Sequence, residues 1–128
     1  MRLLLDTCTF LWVISSSPRL STQARDLFRD PDNEVFLSVV SAWEIAMKFS
    51  MGSLALPASP LEIIPQERER HGITSLPLTE EAALYLPKLP KLHRDPFDRM
   101  LVCQAITNSL AILTPDALVS QYGVLTIW

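Results

Sequence analysis

Arg2-Leu3-Leu4-Leu5-Asp6-Thr7 joins a short apolar run to an acid and a helix-capping hydroxyl, and that junction decides the fold. The run is too short for an amphipathic helix, so residues 2–5 read as a buried strand that ends at Asp6. Thr7 is placed to cap a short helix over residues 8–14, which Ser15-Ser16-Ser17-Pro18 breaks. The same order recurs along the chain. Ser21 caps a helix with Ala24, Leu27 and Phe28 on its inward face, residues 30–33 have turn chemistry, and residues 35–39 form a second strand. Ser41 begins a third helix carrying Trp43, Ile45, Ala46, Met47 and Phe49, with Gly52 as its C-cap.

Residues 57–60 link this half to a helix over 61–71 that Pro65 kinks or shortens. A third strand is expected over 73–78. Thr79-Glu80-Glu81 opens a helix with acids where the macrodipole favours them, and Pro87 and Pro90 end it. Asp95-Pro96 starts a helix over 96–109 with proline at its first position. Residues 111–113 form a strand, Thr114-Pro115-Asp116 opens a short helix, and residues 124–127 form the last strand. Strands separated by helices imply an α/β fold, with one domain over 1–128 and a central parallel sheet flanked by helices.

Composition narrows the function. A chain of 128 residues with 48% apolar and 20% charged residues is long enough for one real core and far from a disordered composition. A net charge of −3 excludes a uniformly basic nucleic-acid binder but not a local basic patch. Cys8 and Cys103 lie in apolar segments without metal-ligand spacing, which suits a reducing cytoplasm. With only Gly52, Gly72 and Gly123, a phosphate-binding loop or a dinucleotide fingerprint is excluded. Met1-Arg2 and the leucine run resemble the start of a signal peptide, but Asp6 interrupts the run and no cleavage site follows. No stretch approaches the roughly 20 apolar residues of a membrane span.

In an open α/β sheet the chemistry gathers beyond the carboxyl ends of the strands. Asp6 ends the first strand and Asp116 lies just past the penultimate one, so both are expected at one edge. Glu44, after the second strand, and Asp98, in the first turn of the 96–109 helix, are placed to join them. Carboxylates sharing a crevice either raise their pKa values or bind a cation, and hard divalent cations prefer such oxygens. Ordinary explanations compete: a Ser41–Glu44 capping box, Asp95 as an N-cap with Asp98 as a dipole-favoured acid, and a cap at Asp116. Asp6 is hardest to dismiss, because an acid closing an apolar strand must find a cation or donors. Lys88, Lys91, Arg94 and Arg99 meet only Asp95 and Asp98, giving a segment of +2 suited to a polyanionic backbone. His71 and His93 read as surface histidines.

These residues resemble the PIN-domain nucleases, specifically the VapC-like toxins of type II toxin–antitoxin modules. The resemblance runs through Leu4-Leu5-Asp6-Thr7 and Ser41-Ala42-Trp43-Glu44-Ile45-Ala46-Met47-Lys48. It continues through His93-Arg94-Asp95-Pro96-Phe97-Asp98-Arg99-Met100-Leu101, Leu113-Thr114-Pro115-Asp116 and Ile127-Trp128. It implies an endoribonuclease dependent on Mg2+ or Mn2+, with a carboxylate set of Asp6, Glu44, Asp98 and Asp116. Thr7 and Thr114 are then candidates to hydrogen-bond the carboxylates or a bound water, with Asp95 a helix cap, and Arg99, Arg94 and Lys91 candidates for phosphate or partner contact. The chain departs from the family pattern at Cys8, where many relatives have His, and at Pro115. The resemblance also implies a homodimer and a small antitoxin that occupies the active-site groove. A mean hydropathy of +0.22 is compatible with both.

Other readings remain in view at this point. A haloacid-dehalogenase-like phosphatase wants a second acid where Cys8 stands, and the acidic pattern of a receiver domain is not visible. A non-catalytic PIN-like binding module and an RNA-processing nuclease outside a toxin–antitoxin pair stay open.

Overall fold

The computed structural model describes residues 1–128. Five strands, β1 (Arg2–Leu5), β2 (Glu34–Ser38), β3 (Thr74–Leu76), β4 (Ala111–Leu113) and β5 (Thr126–Ile127), form one sheet in the order β3-β2-β1-β4-β5. Every neighbouring pair is parallel, with Leu5 in register with Leu37 on one side and Leu113 on the other. Seven α-helices alternate with the strands: α1 (Thr7–Ile14), α2 (Thr22–Arg29), α3 (Val39–Ser50), α4 (Pro60–Arg70), α5 (Glu80–Tyr85), α6 (Pro96–Asn108) and α7 (Ala117–Ser120). A 3-10 turn, Leu86–Lys88, follows α5. The expected α/β architecture is the observed one. No helix is long and apolar enough to cross a membrane.

The uninterrupted leucines of β1 follow from its central place, because both of its faces are covered. Leu4, Phe36 and Ile112 pack on one face with Leu101, Val102 and Ala105 of α6. Leu3, Leu5, Val35, Leu37 and Leu113 pack on the other with Phe10 of α1, Ile45 of α3 and Ile63 and Ile64 of α4. The chain winds from β1 outward to β3, then returns to lay β4 against the other side of β1. That reversal sets the topological switch point at the carboxyl ends of β1 and β4, beyond Leu5 and Leu113, where open α/β sheets place their ligands.

Two helix starts differ from the sequence reading, and both differences matter to the site. Asp6, not Thr7, caps α1: its backbone is extended and its Oδ1 accepts the Thr9 N–H at 2.8 Å. Thr7 thereby becomes the first helical residue. Ser38, not Ser41, caps α3, its Oγ accepting the Val40 N–H at 2.9 Å. The strand therefore stops one residue earlier than expected, and no Ser41–Glu44 capping box forms. Ser41 lies fully buried inside the helix and Glu44 lies one turn further on. At the other end of α3, Gly52 follows the cap Met51 with φ +74. The Gly52 and Ser53 N–H groups bond back to Phe49 and Lys48, a Schellman closure that a left-handed glycine permits.

Pro65 neither breaks nor shortens α4, which starts at Pro60 and runs through it. The bond that Pro65 forfeits belongs to the carbonyl of Leu61, a residue 85% exposed, so water can replace it. Asp95 caps α6 as expected, with Oδ1 accepting the Phe97 N–H at 2.8 Å.

Ser38 is also the strut between β2 and α6, since its hydroxyl donates to Oε1 of the fully buried Gln104. Gln104 in turn donates to the Pro77 carbonyl at 3.2 Å. Ser38→Ala removes the cap and strands a buried amide oxygen, so a loss of about 2–3 kcal/mol is expected. Urea unfolding of the variant measures it.

Candidate functional site

The crevice is lined from four elements. Asp6 closes β1 and begins α1, and is 8% exposed. Its Oδ1 accepts the Thr9 N–H and, at 3.3 Å, the Cys8 thiol. The acid at the end of the apolar strand has thus found donors on one oxygen. Burial, then the Asp6 charge and that hydrogen bond, push the Cys8 thiol up to about 12, so it stays protonated as a donor.

Thr7 points the opposite way. Its hydroxyl donates to Glu44 Oε1 at 2.6 Å and lies 3.0 Å from the Ser41 hydroxyl, tying α1 to α3. Glu44 is 5% exposed, and its Oε2 meets Lys48 Nζ one turn along the helix. The hydrogen bond to Glu44 raises the Lys48 pKa, outweighing the burial that lowers it. The early start of α3, capped by Ser38, produces this arrangement, because Ser41 and Glu44 then lie one turn apart inside the helix and are both buried.

Asp98 sits three residues past the Asp95 cap, on the first turn of α6. Burial comes first among the forces on its carboxyl, then the charges of Asp95, Glu44 and Asp6, and only His93 opposes them. Its pKa is pushed up to about 6. A carboxyl without donors, among other carboxylates, can either hold a proton or take a cation.

Asp116 lies beyond β4 and caps α7, Oδ1 accepting the Leu118 N–H at 2.9 Å. Its Oδ2 lies 3.0 Å from His93 Nε2. Burial raises its pKa, but the hydrogen bonds from His93 and Leu118 outweigh that and the net shift is downward. Thr114 Oγ1 accepts the Asp116 backbone N–H at 3.1 Å, so it shapes the turn and does not touch the carboxylate.

His93 is the residue that the sequence reading misplaces. Its side chain is 8% exposed, stacked on Tyr122, and its ligand-capable atoms lie with those of Asp98 and Asp116 within 4.8 Å of one another. Its partners, Asp116 and Tyr122, are distant in sequence, so no local pattern announces them. The buried Leu89 and Phe97 that bracket the loop are the one signal that it is pinned down at both ends. His71 is also partly covered, lying against Glu67 and the Phe28 ring.

The basic segment borders this site. Lys91, Arg94 and Arg99 line, with Leu92 and His93, an open pocket of about 400 Å³. Arg99 Nη1 donates to the Pro90 carbonyl at 3.1 Å, which holds the loop against α6. Trp43, 62% exposed, stands edge-on to Phe97 with ring centroids 4.9 Å apart. The fold thus gathers Asp98, Asp116 and His93 tightly. Asp6 and Glu44 act on Asp98 as neighbouring charges, each with its own donors.

Residues 3–125 match the family model described as the PIN domain. Ribonuclease VapC16 of Mycobacterium tuberculosis (strain ATCC 25618 / H37Rv) is 35% identical over 63 residues, which are 46% of this chain and 45% of that protein. The aligned stretch is therefore less than half of that relative. Among solved structures, DNA-bound VapBC from Salmonella typhimurium superposes with a TM-score of 0.74 at 18% identity, over 99% of this chain and 97% of that one. VapBC2 from Rickettsia felis, bound to a DNA fragment from their promoter, gives 0.73 at 12% identity, over 99% and 98%. At these identities the structural likeness speaks to the fold.

Proposed function

The chain belongs to the PIN-domain family, and from that premise we propose that it is a VapC-like toxin, an endoribonuclease that depends on a divalent cation. The convergence of His93, Asp98 and Asp116, with Asp98 lifted by surrounding carboxylates, is the observation that carries this reading. The donor set fits the group. Oxygen ligands from Asp6, Glu44, Asp98 and Asp116 suit Mg2+ or Mn2+, and a cation would relieve the repulsion at Asp98. When bound, it supplies Lewis-acid polarisation of a phosphodiester and activation of water near neutral pH.

The chain's own residues divide the remaining work. Asp6 and Asp98 are the principal ligands. Thr7 and Lys48 hold Glu44 in one rotamer at the pocket wall, ready to help activate water. Lys91, Arg94 and Arg99 receive the RNA backbone by charge. The relative named as a ribonuclease and the VapBC neighbours support an antitoxin partner and a toxin role.

A homodimer fits the exposed apolar side chains of Trp43 and Phe49 on α3 and Leu61 on α4. A monomeric mass at micromolar concentration would count against it. Free Cys8 and Cys103 fit the cytoplasm. One observation favours a second reading, a non-catalytic PIN-like module: both oxygens of Glu44 already have partners in Thr7 and Lys48.

The test is cleavage of labelled structured RNAs by the antitoxin-free protein with Mg2+, Mn2+ or chelator. Metal-dependent cutting that Asp6→Asn abolishes is expected. Cutting that is indifferent to chelator would sink the metal-dependent mechanism. No cutting of any RNA, together with no binding of Mn2+, would select the binding module.

A further inference from the structure

We propose that His93, itself fixed by Tyr122, positions the Asp116 carboxylate for the cation, so that the working site of this chain includes a Tyr122–His93–Asp116 chain of hydrogen bonds. This rests on the carboxylate reading above and assigns a role to a residue outside the four acids.

The geometry is built at every link. The His93 backbone N–H donates to Tyr122 Oη at 2.8 Å, which sets the height of the loop. The imidazole stacks on the Tyr122 ring, centroids 5.5 Å apart and planes 14° off parallel. Nδ1 lies 3.2 Å from the same Oη, and Nε2 lies 3.0 Å from Asp116 Oδ2. Tyr122 is itself buried.

The partners assign the tautomer. A carboxylate oxygen only accepts, so Nε2 carries a proton. Nδ1 faces the Tyr122 hydroxyl, accepting its proton in the neutral ring and donating to its oxygen in the charged one. Neither ring nitrogen has a lone pair left for the pocket. His93 therefore acts through Asp116 and is a positioning residue, although its atoms lie within reach of a ligand cluster.

Asp116 needs such a partner. Its side chain is 38% exposed, it follows the exposed Pro115, and the helix it caps has only four residues. The cap bond to Leu118 holds one carboxylate oxygen and leaves the plane of the group free to turn. The bond from Nε2 holds the second oxygen and fixes that plane. Partners of this kind, one step behind a ligand, typically change metal affinity about 10- to 100-fold when removed.

The experiment measures the Mn2+ dissociation constant of the full chain by calorimetry, with thermal unfolding in chelator recorded for every variant. His93→Ala is expected to weaken Mn2+ about 10- to 100-fold. His93→Gln is expected to recover most of that loss, because its amide nitrogen reaches the place of Nε2. Tyr122→Phe is expected to weaken Mn2+ less than His93→Ala does, and to add nothing in a His93→Ala background.

Asp6→Asn separates the positioning role from the carboxylate reading beneath it. If Asp6→Asn loses Mn2+ while His93→Ala binds it like the natural chain, the positioning role is overturned and the carboxylate reading stands. Unchanged binding in Asp6→Asn overturns the carboxylate reading and the positioning role with it. Equal losses of affinity and of unfolding temperature in His93→Ala and His93→Gln would mark a purely structural residue and also overturn the proposal.

Discussion

Asp98→Asn is expected to lower metal-dependent RNA cleavage by about two to three orders of magnitude while making the metal-free protein more stable at pH 7.5. On the proposed metal site, the first effect follows from losing a ligand to a cation worth several kcal/mol at the transition state. The second follows from the crevice itself. Burial and the charges of Asp95, Glu44 and Asp6 lift the Asp98 pKa from its ordinary 3.8 to about 6, against the opposing pull of His93. Between those values the folded chain holds a proton that the unfolded chain has released. The stability this carboxyl contributes is therefore fully present below about pH 4 and is lost as the pH rises through 6.

Above that range the natural protein keeps a charged carboxylate where its neighbours disfavour it, and Asn removes the charge. Solvent reaches the half-buried carboxyl and screens those neighbours, which limits the gain to about 1–2 kcal/mol. Thermal unfolding in chelator at pH 4.5 and pH 7.5 checks the sign: the variant's advantage should be clearly larger at the higher pH. A variant that is both inactive and less stable at pH 7.5 would mean that Asp98 supports the fold and is not held there against its preference.

Phe10→Ala is expected to destabilise the chain by about 3–5 kcal/mol, a larger loss than that from Ser38→Ala. Phe10 has no exposed surface and packs against Leu3, Leu5 and Leu113, the residues that lead into the crevice. Deleting its ring leaves a void between α1 and the sheet where neither can collapse freely. Because α1 begins at Asp6, the same change loosens the acid at its head. Urea unfolding measures the loss, and the Mn2+ affinity of the folded fraction reports whether the looseness reaches Asp6.

Much of this was legible in the residues. Short apolar runs ending in acids placed Asp6 and Asp116 at one sheet edge, because an alternation of strands and helices leaves few other topologies. The Asp95-Pro96 start of α6 was readable because capping is local: an acid, a proline at the first position and an apolar run say the same thing. What was not legible depended on partners distant in the chain. Ser38 displaced Ser41 as a cap because its hydroxyl also answers Gln104. Asp6 displaced Thr7 because Glu44 claims the threonine hydroxyl. His93 looked like a surface residue because neither Tyr122 nor Asp116 is near it in sequence.

The strand order also sets a sequence in time. β1 is synthesised first, yet it occupies the middle of the sheet, between β2 and β4, with β3 and β5 at the edges. Chains emerge at about 5–20 residues per second, so β1, β2 and β3 can pair while α6 and β4 are still within the ribosome. During that interval β1 shows one bare edge, and Asp6 and Glu44 stand without Asp98 or Asp116. The final pairing of Leu5 with Leu113 closes a loop nearly as long as the chain, the slow kind of contact. The four acids of this edge therefore come together only when the last strands are laid down.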